Sequence, residues 1–262
     1  MPVMTKYEHG QFSWVDLMAH DMTAAKEFYM NFFGWDCVES PNPAGLPYGM
    51  FKLNGHDVGG IGQTSEEMKA AGVPPMWNNY INVDDVEAVV NKAVELGGEV
   101  IVPVTQVMES GSLAFIKDPT GGVVGFWQPN EHCGATLVND PNTFCWNEFN
   151  TPDIEKAKDF FGKLLGWEFE LNSSAPNTYY IIKVGENQNG GLLQMTEEWQ
   201  GVPPHWMVYF TTSDIQASVA KWSELGGQVC IPPFDIPIGK ICVVTDPQGA
   251  ALSLFEFAKT PA

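Results

Sequence analysis

The segment FSWVDLMAHDMTAAKEFYMNFFGW, from Phe12 to Trp35, returns without a gap as FCWNEFNTPDIEKAKDFFGKLLGW from Phe144 to Trp167. Trp14 pairs with Trp146, Asp21 with Asp153, Phe28 with Phe160, Gly34 with Gly166 and Trp35 with Trp167, each 132 positions apart (146 less 14). The chain is a tandem duplication, so its fold must be one that a half-length unit adopts twice. Within the repeat, residues 12–18 mix large apolar and polar side chains and suit a strand. Asp21 is a candidate N-cap, because its carboxylate can accept the free amide protons of a first helical turn. Ala24, Ala25, Phe28, Tyr29, Phe32 and Phe33 recur at helical spacing, and Gly34 stops the helix.

A weaker repeat lies inside each half. Asp84 to Gly97 repeats the spacing of Asp21 to Gly34, with a strand over 77–83 before it and Val86, Val89, Val90, Ala93, Val94 and Leu96 as a helix face after it. The second half echoes this with a strand at 206–210, a helix at 215–225 and Gly226-Gly227 as the stop. Strand-like runs bounded by turn residues follow each helix, and DPTG at 118–121 returns as DPQG at 246–249, a turn in which proline fixes φ and glycine permits a positive one. Each half is strand–helix–three strands, twice over. Residues 129–143 are turn formers without periodicity. The reading is a first domain at 1–131, a linker at 132–143 and a second domain at 144–262, each domain burying its own core.

The net charge is −19, and all 13 basic residues are lysine. Nucleic acid is a poor partner for such a surface, and a bidentate arginine clamp on a carboxylate or phosphate is impossible within the chain. No apolar run approaches the roughly 20 residues of a membrane span, and the N-terminus lacks the basic and apolar regions of a signal peptide, so the expectation is a cytoplasmic protein with no membrane partner, as a monomer or homodimer. Five cysteines without close pairs argue against a disulfide framework or a zinc knuckle. There is no G-x-S-x-G and no P-loop.

The pattern W-x-[DE]-L/F, a capping Asp, A-x-x-F-Y/F-F, an apolar pair before GW, then D with ELGG, then DPxG before an apolar strand, resembles the vicinal oxygen chelate superfamily. That group includes glyoxalase I, bleomycin-resistance proteins and extradiol dioxygenases. The resemblance covers nearly the whole chain, and is closest to the four-module, two-domain glyoxalase-like branch. It implies an α+β fold of four tandem βαβββ modules, paired into two eight-stranded open cups. It leaves open whether the cups form within or between halves. For the metal-using members it also implies a divalent ion on the cup floor, held by His, Glu or Gln from the first and last strands of each module.

Carried over by position, those seats fall at Trp14 and Trp146 on the first strands. Gly125 and Ser253 take the last strands, Asn78 or Asn79 and Met207 or Val208 the first strands of the second modules, and the Gly59-Gly60 and Gly190-Gly191 regions the last strands of the first modules. Imidazole and carboxylate donors are missing from nearly all of them. Asp16 and Glu148, two residues beyond the tryptophans and on the same strand face, are the catalytic candidates. Glu148, His56 and Glu256 are the weak metal candidates, and Gln128 and Glu256 should face away from the cups. The expectation is no cofactor, with Fe, Ni, Zn or Mn as the ions to look for if one is present.

The inferred cup residues are Trp14, Asp16, Tyr48, Trp77, Asn79 and Trp127 in the first half. In the second they are Trp146, Glu148, Asn150, Tyr180, Trp206 and Phe255, with Ser253. Such aromatic walls with a few amides and a carboxylate suit a flat, apolar small molecule. The preferred reading is metal-free binding of an aromatic or apolar ligand in one or both cups. The alternatives are a divalent-metal enzyme of the lactoylglutathione lyase or dioxygenase/hydroxylase kind, and a structural protein whose cups are packed solid. Because Glu148 reaches further than Asp16, the second half is the better candidate.

Overall fold

Each half builds its own sheet, which answers the question of module pairing. The computed structural model describes residues 3–40 and 46–258. The first half runs β1 (Phe12–Ala19), α1 (Met22–Phe33), β2 (Asp36–Ser40), β3 (Tyr48–Leu53), β4 (His56–Gln63), α2 (Glu66–Ala70), β5 (Met76–Asn82), α3 (Val86–Glu95), β6 (Glu99–Val107), β7 (Gly111–Lys117) and β8 (Val123–Pro129). The second runs β9 (Phe144–Thr151), α4 (Ile154–Leu165), β10 (Glu168–Leu171), β11 (Tyr179–Val184), β12 (Asn187–Gln194), β13 (His205–Thr211), α5 (Ile215–Glu224), β14 (Gln228–Ile236), β15 (Gly239–Thr245) and β16 (Ala251–Phe257). The strand orders are β2-β3-β4-β1-β5-β8-β7-β6 and β10-β11-β12-β9-β13-β16-β15-β14. The first strands of paired modules run antiparallel at the centre, and each lies parallel to the last strand of its own module.

One device recurs in all four modules and holds helix to sheet. A last-strand side chain accepts the first amide proton of the module's helix: Gln63 from Met22, Gln128 from Val86, Gln194 from Ile154 and Glu256 from Ile215, at 2.8–3.0 Å. An aspartate N-cap completes each helix start, at Asp21, Asp85, Asp153 and Asp214. The cap of α3 is Asp85, the residue after the Asp84 whose distance from Gly97 repeats that of Asp21 from Gly34. Together these groups satisfy amide donors that a helix cannot satisfy itself.

The cores do not follow the halves. Side chains of α1, β1 and β4 join those of α5, β13, β15 and β16 in one cluster. The second cluster unites α3, β7 and β8 with α4, β9 and β12. Trp222 of α5, fully buried, lies edge-on to Phe28 at 4.7 Å and to Phe32 at 4.6 Å, both on α1. The expectation that each half buries its own core is therefore corrected: the helices pack on their own sheet with one side, as Tyr29 does on Trp77, and on the other half with the other. The sheets stand back to back across these helices, and the two cup faces point away from each other.

Candidate functional site

In the first cup, β1 and β5 pair Asp16 with Asn78 and Trp14 with Tyr80, and Asp16 also pairs with Gly60 of β4. Side chains directly opposite share a face, so these groups converge. Asp16, 4% exposed, accepts hydrogen bonds from the Asn78 amide at 2.9 Å, the Tyr80 hydroxyl at 2.9 Å and the Tyr48 hydroxyl at 3.1 Å. The Trp14 indole donates to Tyr48 at 3.1 Å. Burial pushes the Asp16 carboxyl up, against the pull of its three donors.

The second cup repeats the plan with one donor fewer. Glu148 accepts from the Tyr209 hydroxyl at 2.9 Å and engages the Tyr179 hydroxyl, to which the Trp146 indole donates at 2.9 Å. Met207 pairs with Glu148 where Asn78 pairs with Asp16. Burial, only partly offset by the two phenols, raises the Glu148 carboxyl to about 7. Next along the same face, the Asn150 amide meets His205 Nε2 at 3.2 Å, while His205 Nδ1 meets the Pro203 carbonyl at 2.9 Å. Both contacts are met when Nε2 accepts from the Asn150 amide and Nδ1–H donates to the Pro203 carbonyl.

The phenols lie across the glycine seats of the last strands. A Cβ on Gly60 would fall 2.1 Å from the Tyr48 hydroxyl, one on Gly191 would fall 2.0 Å from that of Tyr179, and one on Gly125 would fall 2.6 Å from the Tyr80 ring. Glycine is required there because the ring occupies the space of a side chain. Among the described residues, no three of His, Cys, Asp and Glu converge as a metal cluster would.

Trp14, Asp16, Tyr48 and Trp127 stand in the first cup, and Trp146, Glu148, Asn150, Ser253 and Phe255 in the second. Four other assignments are on the wrong face. Trp77 donates from its indole to Tyr29 of α1 at 3.0 Å, and Asn79 pairs with Val15 on the same helix side. Trp206 stacks on Phe149 at 4.7 Å in the shared core. Tyr180 lies outside, under Lys158 and bonded to Glu155; its neighbour Tyr179 enters the cup. Gln128 and Glu256 face the helices, as expected, where they cap α3 and α5, so Glu256 is spent as a metal candidate. His56 opens β4 beside the β3–β4 turn, in the half that does not hold Glu148. Sequence reasoning missed Tyr80, Tyr179 and Tyr209, and between the paired alternatives Asn78 or Asn79 it took Asn79 into the cup where the structure puts Asn78, with Met207 and not Val208 in the other half. The available signal was recurrence, since Tyr80 and Tyr209 stand two residues after Asn78 and Met207, the partners of the two carboxylates.

The cups differ at their mouths. In the first, His132 of the linker lies edge-on to Trp14 at 4.6 Å, and the Trp127 indole donates to the His132 carbonyl at 2.8 Å. Trp14 and Trp127 are 5% and 6% exposed under this roof. In the second, β14 and β16 continue the cup wall outward through Phe234 and Phe257, which are 42% and 50% exposed.

Residues 11–126 and 143–254 match the family model of the Glyoxalase/Bleomycin resistance protein/Dioxygenase superfamily. The chain belongs to that superfamily. It is similar to a superfamily relative named "Putative glyoxylase CFP32" in Mycobacterium bovis and Mycobacterium tuberculosis, 42% identical over 259 residues and covering 98% of each chain. It is also similar to "Anthracycline biosynthesis protein DnrV" of Streptomyces peucetius, 29% identical over 263 residues, covering 97% of this chain and 95% of that one. The glyoxalase-superfamily fold is seen in two solved structures. The 2,3-dioxygenase LapB from Pseudomonas sp. KL28 has a TM-score of 0.65 at 14% identity, covering 98% of this chain and 96% of that one. The Mn(II)-bound glyoxalase from Novosphingobium aromaticivorans has a TM-score of 0.64 at 15% identity, covering 95% and 82%. Among the described residues, no helix is long and apolar enough to cross a membrane.

Proposed function

We propose that this superfamily member binds a flat aromatic small molecule in its second cup, without a divalent ion. The observation that carries the reading is the asymmetry of the mouths. The first cup is roofed by His132, whereas the second runs from a buried carboxyl outward along an apolar wall to half-exposed Phe234 and Phe257. Aromatic walls around a few polar groups favour a planar ligand held by stacking and burial. The relatives named for anthracycline biosynthesis point to the same chemical class, since anthracyclines are fused-ring aromatics. The metal-free half rests on the donor set. Each cup offers one carboxylate whose oxygens already accept from phenols, and Gly60, Gly125 and Gly191 bring no donor to the last strands. A transition ion needs several imidazole or carboxylate ligands.

Titration of tryptophan fluorescence with anthraquinone-type compounds tests the binding. Saturable quenching is expected in the wild type. Trp146→Leu should weaken it about tenfold, the worth of one lost ring contact, while Trp14→Leu should not. Metal analysis of protein purified without chelator or nickel resin tests the rest. A stoichiometric Fe, Ni, Zn or Mn signal that disappears in Glu148→Ala would overturn the metal-free reading.

A further inference from the structure

We infer that Asn150, its amide oriented by His205, selects ligands of the second cup that carry a neutral N–H or O–H donor at the edge of their aromatic plane. This rests on the binding reading above. The two residues face each other on the central strands β9 and β13.

Asn150 lies two residues beyond Glu148, so its side chain leaves β9 on the same face, roughly 7 Å further along the strand. It pairs with His205 of β13 on one side and with Leu193 of β12 on the other. The residue is 2% exposed, and its Oδ1 is buried with no partner. A buried carbonyl oxygen left bare is costly, and nearly all such oxygens in folded proteins are paired. In the first cup the same two places hold Met18 and Met76, which pair with each other. A thioether is only a weak acceptor and makes no such demand.

His205 decides which atom of the amide is left free. Its Nδ1 lies 2.9 Å from the Pro203 carbonyl, which can only accept, so Nδ1 carries a proton. The Nε2 of the neutral ring is then an acceptor, and the Asn150 atom 3.2 Å from it must be the amide nitrogen. Turning the amide over would set two acceptors against each other. The carbonyl oxygen is therefore the group held out for a ligand. The imidazole is backed in turn by Trp199, on the 3-10 turn Glu197–Trp199, with 6.1 Å between ring centroids.

A fixed acceptor in a dry site discriminates through what it leaves unpaired. A ligand that brings an N–H or O–H satisfies Oδ1. One that brings a methyl group to the same place keeps it bare, and one that brings a carbonyl oxygen sets lone pair against lone pair. The resulting order is the reverse of what apolar walls alone impose. A purely apolar cup ranks a methyl above an amine, because burying the first is favourable and burying the second costs a hydrogen bond to water. Two ligands of one shape, differing only in that group, therefore separate the two cases.

Titration of tryptophan fluorescence with 2-aminoanthraquinone and with 2-methylanthraquinone tests this. The wild type should bind the amine about tenfold more tightly, the worth of one hydrogen bond to an otherwise bare buried acceptor. Asn150→Leu removes the acceptor at nearly constant volume and should reverse the order. His205→Phe frees the amide to turn and should bring the ratio toward one. Asn150→Met combined with His205→Met copies the pair that the first cup already packs; it should show the same reversal, and it stands in should either single variant fail to fold. Equal or tighter binding of the methyl compound by the wild type would overturn the inference alone and leave Oδ1 to a bound water, as would a tenfold preference that survives Asn150→Leu. An unchanged ratio in His205→Phe would overturn the orienting role of the imidazole. Quenching by neither compound would overturn the binding reading as well.

Discussion

Adding one hydroxyl group at position 161 should stabilise the protein. In the core shared by α1 and α5, the Tyr29 hydroxyl accepts from the Trp77 indole at 3.0 Å and donates to Asp246 at 3.0 Å. In the other core the ring at the equivalent position is Phe161, which meets Trp206 edge-on at 5.7 Å as Tyr29 meets Trp77 at 5.3 Å. Trp206 Nε1 and Asp118 Oδ2, the counterparts of the two atoms that Tyr29 joins, are both buried without partners. Removing the hydroxyl in Tyr29→Phe breaks one neutral and one charge-assisted hydrogen bond and strands both partners, a loss of roughly 2–4 kcal/mol. Supplying it in Phe161→Tyr satisfies two stranded atoms at the cost of fitting one oxygen into a packed core, a net gain of about 1–2 kcal/mol. At about 2–4 °C per kcal/mol for a chain of this size, the melting temperature should fall by roughly 4–16 °C in the first variant and rise by a few degrees in the second. Urea unfolding followed by tryptophan fluorescence reads both. A Phe161→Tyr protein less stable than wild type, beside a Tyr29→Phe protein of unchanged stability, would refute the reasoning.

Other outcomes follow from the same structure. The Glu148 carboxyl is held at about 7 in the folded chain against an ordinary value of 4.5, so the folded state binds the extra proton between those values and stability falls as pH rises through them, by about 3 kcal/mol. Urea midpoints should show Glu148→Gln gaining on wild type by that amount between pH 4 and pH 8; parallel pH profiles would contradict it. Gly191→Ala places a Cβ on the Tyr179 hydroxyl and should cost about 1–3 kcal/mol and displace Tyr179 from Glu148, read as a change in near-UV circular dichroism. Gly34→Ala, at a φ of +73° with open space around it, should cost only about 1 kcal/mol in thermal unfolding. Trp222→Ala should cost about 3–5 kcal/mol, because the indole packs on the helix of the other half.

The modules were legible because their boundaries are written in local chemistry. Aspartate caps, glycine stops and DPxG turns act within a few residues, and their recurrence fixed the count. The cup faces were harder. A strand with one wet face betrays its parity through alternation, but β5 is buried on both sides, with Trp77 against α1 and Tyr80 against Asp16. Two-sided burial erases the period-two signal, and preferring the larger ring then puts Trp77 and Trp206 inside when they belong outside. A one-residue slip also exchanged Tyr179 for Tyr180. The carboxylates Asp16 and Glu148 were found because their offset from the tryptophans is even. The roofing of one cup by His132 had no local signature, since it depends on where the linker crosses the finished sheet.

The cross-pairing of the cores bears on how such a chain arose and how it can be cut. A lone half would present the apolar backs of two helices to water, so an ancestor of half this length needed a twin, and the joining of residues 129–143 turned a pair of molecules into one. Severed in that stretch, the two fragments should find each other again and restore both cores, as the parts of a split reporter do.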